Sequence, residues 1–145
     1  MSADHKKTIE RVYQLFRTCP DPDAVEKGGG WSVKEILGHL MDSASNNHQR
    51  LARYVPKGNY NYPGYDQERC VKMAGYRGFD FNRLLELWYN YNQLLLHMFA
   101  GIPAADLDST ITIGDRPPVA IRQLILDYFA HMENHERQAR QLIAG

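Results

Sequence analysis

The stretch Gly30-Trp31-Ser32-Val33-Lys34-Glu35-Ile36-Leu37-Gly38-His39-Leu40-Met41-Asp42-Ser43 decides the fold. Ser32 and Glu35 have the spacing of a capping box, in which each side chain satisfies a backbone N–H of the other at a helix start. Trp31 before the cap and Ile36 at the fourth helical position are placed for a hydrophobic staple. Leu37, Leu40, Met41, Ala44 and Leu51 carry the helix on to about Val55, where Pro56 and Gly58 stop it.

Three more helices follow from the same signals. The first runs from about Ser2 to Thr18, with Ile9, Val12, Leu15 and Phe16 as its apolar face and Cys19-Pro20-Asp21-Pro22 as its end. Lys27-Gly28-Gly29-Gly30 is a break before the capping box. The third long helix starts at Asp80 as N-cap, carries Leu84, Leu87, Trp88, Tyr91, Leu94, Leu95 and Met98, and ends at Gly101 and Pro103. Pro117 and Pro118 are expected to open the fourth, where a missing N–H costs little. That helix carries Ile121, Leu124, Ile125, Tyr128, Phe129, Met132, Leu142 and Ile143. Residues 56–79 form a long connection whose second half, Gln67 to Tyr76, has room for a short helix. Connections of this length often cover a site. Thr110-Ile111-Thr112-Ile113 alternates like a small strand until Gly114-Asp115 interrupts it. Four long helices and little strand predict an all-α four-helix bundle, one domain over residues 1–145.

Composition narrows the partners. The chain has 145 residues, enough for one domain with a sizeable core. Its 17 basic and 17 acidic residues balance, so no net field draws nucleic acid or an acidic membrane. No apolar run reaches transmembrane length, and MSADHKKTIE is too polar for a signal peptide. Two cysteines, Cys19 and Cys70, do not make a disulfide framework, and a reduced cytoplasmic setting is the simplest reading. Nine tyrosines against five phenylalanines suit a partly wet cleft, although surface roles are as common.

Chemistry enters with His131-Met132-Glu133-Asn134-His135. A spacing of four puts both imidazoles on one helical face, offset by about 40°, where they can ligate one metal ion. They continue the stripe of Leu124 and Tyr128, so they point to the interior or to a cleft. The plainer alternative is a pair of hydrogen-bonded core histidines. His5, in the first turn, is expected to be exposed, and His97 suits the negative end of its helix. His39 and His48 lie about 180° apart on the second helix, so both cannot face one metal. Each borders the apolar arc, and periodicity does not choose between them. His39 shares its edge with Ser43, Asn46, Asn47 and Arg50, a strip that suits either a wet pocket or a solvated flank.

Familiar motifs are absent. H-E-x-x-H needs Glu directly after the first histidine, and Met132 stands there; Glu133 points about 200° away from His131. The Glu-x-x-His pair of di-iron bundles, G-x-S-x-G, the P-loop and the dinucleotide fingerprint are missing as well. Cys70 has no evident basic neighbour to make it a nucleophile.

The segment Gly30 to Ser43 resembles the W-S-x-x-E-x-x-x-H-L-x-D-S signature of the DinB-like (YfiT-like) superfamily. The stretch Thr112 to Leu142, with His131 and His135, resembles that family's C-terminal signature. Tyr65-Asp66 is similar to an acidic-aromatic patch common there, while the other loops match poorly. The resemblance implies an up-down-down-up four-helix bundle, frequently a homodimer, and a divalent metal, often nickel or zinc, held by His39, His131 and His135. It therefore prefers His39 to His48. Members include metal-dependent hydrolases, transferases that use low-molecular-weight thiols, and a thiol-dependent isomerase.

Three imidazoles leave a cation its full charge, so bound water or a bound thiol loses its proton near neutral pH. The expected function is an enzyme acting on a small-molecule substrate, by S-transfer, thiol-dependent isomerisation or hydrolysis. Thiol chemistry is slightly preferred. Asp42, Tyr65, Asp66 and Glu68 are the candidates for acid–base work, with Asp42 placed more naturally as a carboxylate behind the ligands or on the surface. Arg50 could meet an anionic substrate or form a surface salt bridge. The rival readings are a non-catalytic metal-binding stress-response module and a metal-free bundle used for dimerisation.

Overall fold

The computed structural model describes residues 2–54 and 61–145. Val55, Pro56 and Gly58, read above as the end of the second helix, lie outside the described residues. Four long helices, α1 (Ser2–Arg17), α2 (Val33–Ala52), α4 (Phe81–Gly101) and α5 (Ile121–Ala144), form the up-down-down-up bundle, with a short helix α3 (Gln67–Ala74) between α2 and α4. The helices α4 and α5 each pack against both α1 and α2.

Local chemistry sets the helix starts. Ser32 Oγ accepts from Glu35 N at 3.1 Å and Glu35 Oε1 accepts from Ser32 N at 3.0 Å, which completes the capping box. Asp80 caps α4 by accepting from Arg83 N at 2.8 Å. Asp66 caps α3 by accepting from Arg69 N, and α3 stops where Gly75 turns left-handed at φ 62°, before the expected Tyr76. The helix α2 reaches Ala52 and is closed by Arg53, whose N–H donates to Gln49 O.

The start of α5 corrects the sequence reading. Pro117 and Pro118 do not open the helix; Val119–Ala120 (β3) intervenes and pairs antiparallel with Thr110–Ile113 (β2). No side chain caps α5. Instead Ile121 N donates to Ser109 O and Arg122 N to Leu107 O, so the preceding loop satisfies the first orphan donors. The alternating strand is present, and β1 (Asn61–Tyr62) joins its other edge in parallel. Tyr62, Ile111, Ile113 and Leu124 make a small apolar cluster under this sheet.

The main core contains Ile9, Val12 and Phe16 of α1, Ile36, Leu37 and Leu40 of α2, Leu84, Trp88 and Leu95 of α4, and Ile121, Ile125 and Phe129 of α5. Leu87 and Leu94, read as core, are 49% and 45% exposed, because the buried face of α4 is that of Leu84, Leu85, Trp88, Asn92, Leu95 and Phe99. Asn92 crosses the interior: its Oδ1 accepts from Tyr128 O–H at 2.6 Å. Glu136 ties α5 to α1, accepting from Arg11 at 2.7 and 2.9 Å and from Arg140 at 2.9 Å. This clamp and the core fix the rotation of α5.

Gly38 is a point of close approach. A Cβ there would sit 2.2 Å from the ring of Tyr76, whose hydroxyl donates to Asp42 Oδ1 at 2.5 Å. Gly38→Ala gains about 1 kcal/mol of helix propensity, but the overpacking costs about 1–3 kcal/mol. Urea unfolding is therefore expected to show net destabilisation. In a Tyr76→Ala background the same change is expected to stabilise by up to about 1 kcal/mol. A stabilising Gly38→Ala in the otherwise unaltered protein would contradict this packing.

Candidate metal centre

The helices α2 and α5 pack side by side and bring His39 against His131 and His135. One ring nitrogen from each histidine lies within 4.8 Å of the others. His39 Nε2 and His131 Nε2 are 2.9 Å apart, and the ring centroids are separated by 4.8 Å (39–131), 4.6 Å (39–135) and 4.6 Å (131–135). His48 points elsewhere, with its Nδ1 2.5 Å from the hydroxyl of Tyr91 on α4. The 180° separation along α2 thus becomes a division of labour between two helix interfaces.

Burial and mutual repulsion keep His39 and His131 uncharged. His39 is 0% exposed. Desolvation, followed by the charges that His135 and His131 would carry, pushes its pKa down to about 3. Desolvation and then His135 push His131 down to about 4. Neutral imidazoles are the form that ligates a metal. His135 is oriented by Gln138, whose Oε1 lies 2.8 Å from Nδ1, leaving Nε2 directed at the cluster. The Nδ1 atoms of His39 and His131 are buried with no hydrogen-bond partner among the described residues. Three convergent imidazole nitrogens, one ring steered by a neighbouring amide, fit a divalent cation.

Trp31 closes one side of the cluster. Its ring lies 4.7 Å from His39 and 6.2 Å from His135, and its Nε1 donates to Glu68 Oε2 at 3.1 Å. The residue expected to staple the helix start is therefore also a wall of the site. His131 lines a cavity of about 760 Å³, together with Ser43, Asn47, Arg50, Tyr65 and Asp66. Gln138 had a legible signal, an amide three residues beyond His135 on the same helix. The wall role of Trp31 had none.

The other candidates separate. Tyr65 lines the cavity, with burial the main cause that raises its pKa and its hydroxyl engaged by Ser43. Asp66 is at the rim, but its carboxylate caps α3. Asp42 faces Tyr76 and does not line the cavity; its Oδ2 is buried without a partner among the described residues, and burial pushes its pKa up. Burial also raises the Cys70 thiol, which is not poised as a thiolate. Arg50, for which a surface salt bridge was the ordinary alternative, is 9% exposed and has no carboxylate partner among the described residues. His5 is not exposed as expected; it is half-buried and its ring stacks on Phe129 at 3.9 Å.

Fold and site define a four-helix bundle with a three-histidine centre between two of its helices, opening on a cavity. The chain belongs to the DinB superfamily, which it matches over residues 5–143. A curated protein of Oceanobacillus iheyensis named "Putative metal-dependent hydrolase OB0782" is 22% identical over 117 residues. The match covers 78% of this chain, which spans 65% of that relative's length. A solved structure described as "YfiT from Bacillus subtilis is a probable metal-dependent hydrolase with an unusual four-helix bundle topology" is similar with a TM-score of 0.82 at 15% identity. The likeness covers 97% of this chain and 85% of that one, and it establishes the fold. Among the described residues, no helix is long and apolar enough to cross a membrane.

The depressed histidine pKa values make the metal-free protein sensitive to acid. The folded protein keeps His39 and His131 neutral down to about 3 and about 4, respectively, whereas unfolded imidazoles take up protons near 6.5. Between those limits the unfolded state binds more protons, so stability is full above pH 6.5 and falls as the pH drops. Denaturant titrations of chelated protein are expected to show that loss. His131→Gln should reduce its slope, and an unchanged slope would contradict the assignment.

Proposed function

We propose that this chain is a metal-dependent enzyme acting on a small molecule, with His39, His131 and His135 holding one divalent cation, zinc or nickel by the family resemblance, since imidazole donors accept several divalent metals. The observation that carries the reading is the convergence of three imidazole nitrogens, from buried His39 and part-buried His131 and His135 on two helices, beside a cavity. When bound, the cation supplies positive charge that makes a thiol or a water nucleophilic at neutral pH. The chain's own part is to fix the three nitrogens, to exclude solvent on one side with Trp31, and to receive the substrate in the cavity lined by His131, Ser43 and Tyr65.

Thiol chemistry is the better supported route. Among the described residues no carboxylate hydrogen-bonds to His39, His131 or His135, whereas H-E-x-x-H hydrolases hold a glutamate base beside the metal-bound water. A low-molecular-weight thiol, being far more acidic than water, needs no such base. Hydrolysis is the second reading, favoured by the names of the relatives. Asp42, Tyr65 and Asp66 remain candidates for proton transfer, and of these Tyr65 lines the cavity without serving as a helix cap.

Elemental mass spectrometry of protein never exposed to a nickel resin is expected to find about one divalent metal per chain. His131→Ala/His135→Ala should lose it, and chelation should lower the melting temperature, because a ligand of the native state stabilises it by about 4 kcal/mol at a thousand times its Kd. Retained metal in the double variant would rule out this centre. Low-molecular-weight thiols paired with electrophiles, run beside esters and amides, separate the two routes. Turnover with thiols that His39→Ala abolishes supports the first; ester or amide turnover without thiol supports the second.

A further inference from the structure

Arg50 lines the cavity, and the metal centre does not explain it. It sits eleven residues after His39 on α2, three helical turns and about 20° further round, so both lie on one face about 16 Å apart along the axis. Long helical side chains lean toward the N-terminus. The guanidinium is thus carried back toward the histidines, within the same continuous cavity that His131 lines.

The surroundings of Arg50 lack an anion. The residue is 9% exposed, yet no carboxylate forms an ion pair with it among the described residues. Its neighbours are the ring of Tyr65, 6.0 Å from the guanidinium carbon, and a second cation, Arg116, whose charge opposes its own. Guanidinium stays protonated at any working pH, and a buried charge without a counter-ion is costly. The carboxylates at the cavity do not supply one. Asp66 accepts from Arg69 N at 3.1 Å, Asp127 accepts from Gln123 Nε2 at 2.8 Å, and Asp115 is exposed. Those three acids would repel a phosphate dianion more than a monoanion.

We propose that the cavity takes an elongated small molecule with a carboxylate at the end remote from the three histidines, and that Arg50, assisted by Arg116, holds that carboxylate. For the ligand's other end, the inference rests on the metal-centre reading above. The planar fork of Arg50 matches the two carboxylate oxygens. The span between the two ends is on the order of 10 Å. The reacting group would then be positioned by the distance between two fixed anchors rather than by shape alone.

The test uses cobalt-loaded protein and a series of ω-mercaptocarboxylates of increasing chain length, each beside the ω-mercaptoalcohol of equal length. The thiolate-to-cobalt absorption band reports binding. The carboxylate is expected to bind about tenfold more tightly than the alcohol at one optimal length. Arg50→Gln should remove that preference while leaving the alcohol's affinity and the cobalt content unchanged. Arg116→Gln should reduce it, and Arg50→Lys should restore part of it. Equal affinities at every length, or a preference that survives Arg50→Gln, would overturn the proposal. A second arm does not depend on the metal: hexanoate, but not hexan-1-ol, should raise the melting temperature of chelated protein, and Arg50→Gln should abolish the rise. If cobalt does not bind and hexanoate still stabilises through Arg50, the metal reading fails and the carboxylate anchor stands. If hexanoate does not stabilise the wild-type protein, the anchor fails whatever the cobalt does.

Discussion

The contact between α2 and α5 is the constraint on which the rest of this structure depends. It brings three imidazoles together, with two Nε2 atoms 2.9 Å apart. His39 and His131 are uncharged there, since a proton on either is opposed by desolvation and by its neighbours. Such an arrangement is poor as packing, because apolar side chains of similar size would fill the space without orphaned nitrogens. Its value lies in being ready for a cation. The core of both helices and the Glu136 clamp to α1 hold α5 in the rotation that the cluster needs.

Much of the fold was legible because its signals are local. The capping box at Ser32 and Glu35, the Asp80 cap and the apolar face of α1 each act within a few residues, and each appears where the spacing places it. Features that depend on distant partners were not legible. The first donors of α5 are satisfied by Ser109 and Leu107, so the prolines lie ahead of the helix and not within its first turn. The partner of the Thr110–Ile113 strand at Asn61–Tyr62 lies some fifty residues earlier in the chain and carries no pattern of its own. Leu87 and Leu94 fit the α4 stripe by spacing, but small rotations of a helix decide which edge of a stripe is covered.

The site divides in the same way. The spacing of four in His131 and His135 is a statement about one helix, and the structure brings both to one cluster. Choosing His39 over His48 required knowing which helix faces α5. Periodicity left that tie open, and only resemblance to a family broke it. Packing explains the result, for His48 is taken up by Tyr91 on the α4 side. The role of Trp31 as a wall of the cluster was beyond the sequence, because a tryptophan before a cap reads as a staple until the neighbouring elements are in place. For Arg50 the sequence left two readings open, an anionic substrate or a surface salt bridge, and its burial without a carboxylate partner among the described residues disfavours the second.

We propose that the imidazoles of residues 39, 131 and 135 bind one cation together. X-ray absorption at the zinc edge of the zinc-loaded protein tests it most directly. The predicted spectrum has a first shell at about 2.0–2.1 Å with multiple scattering from three imidazole rings, falling to two in His39→Ala. A shell of oxygen atoms without the imidazole signature, or one that His39→Ala leaves unchanged, would contradict it.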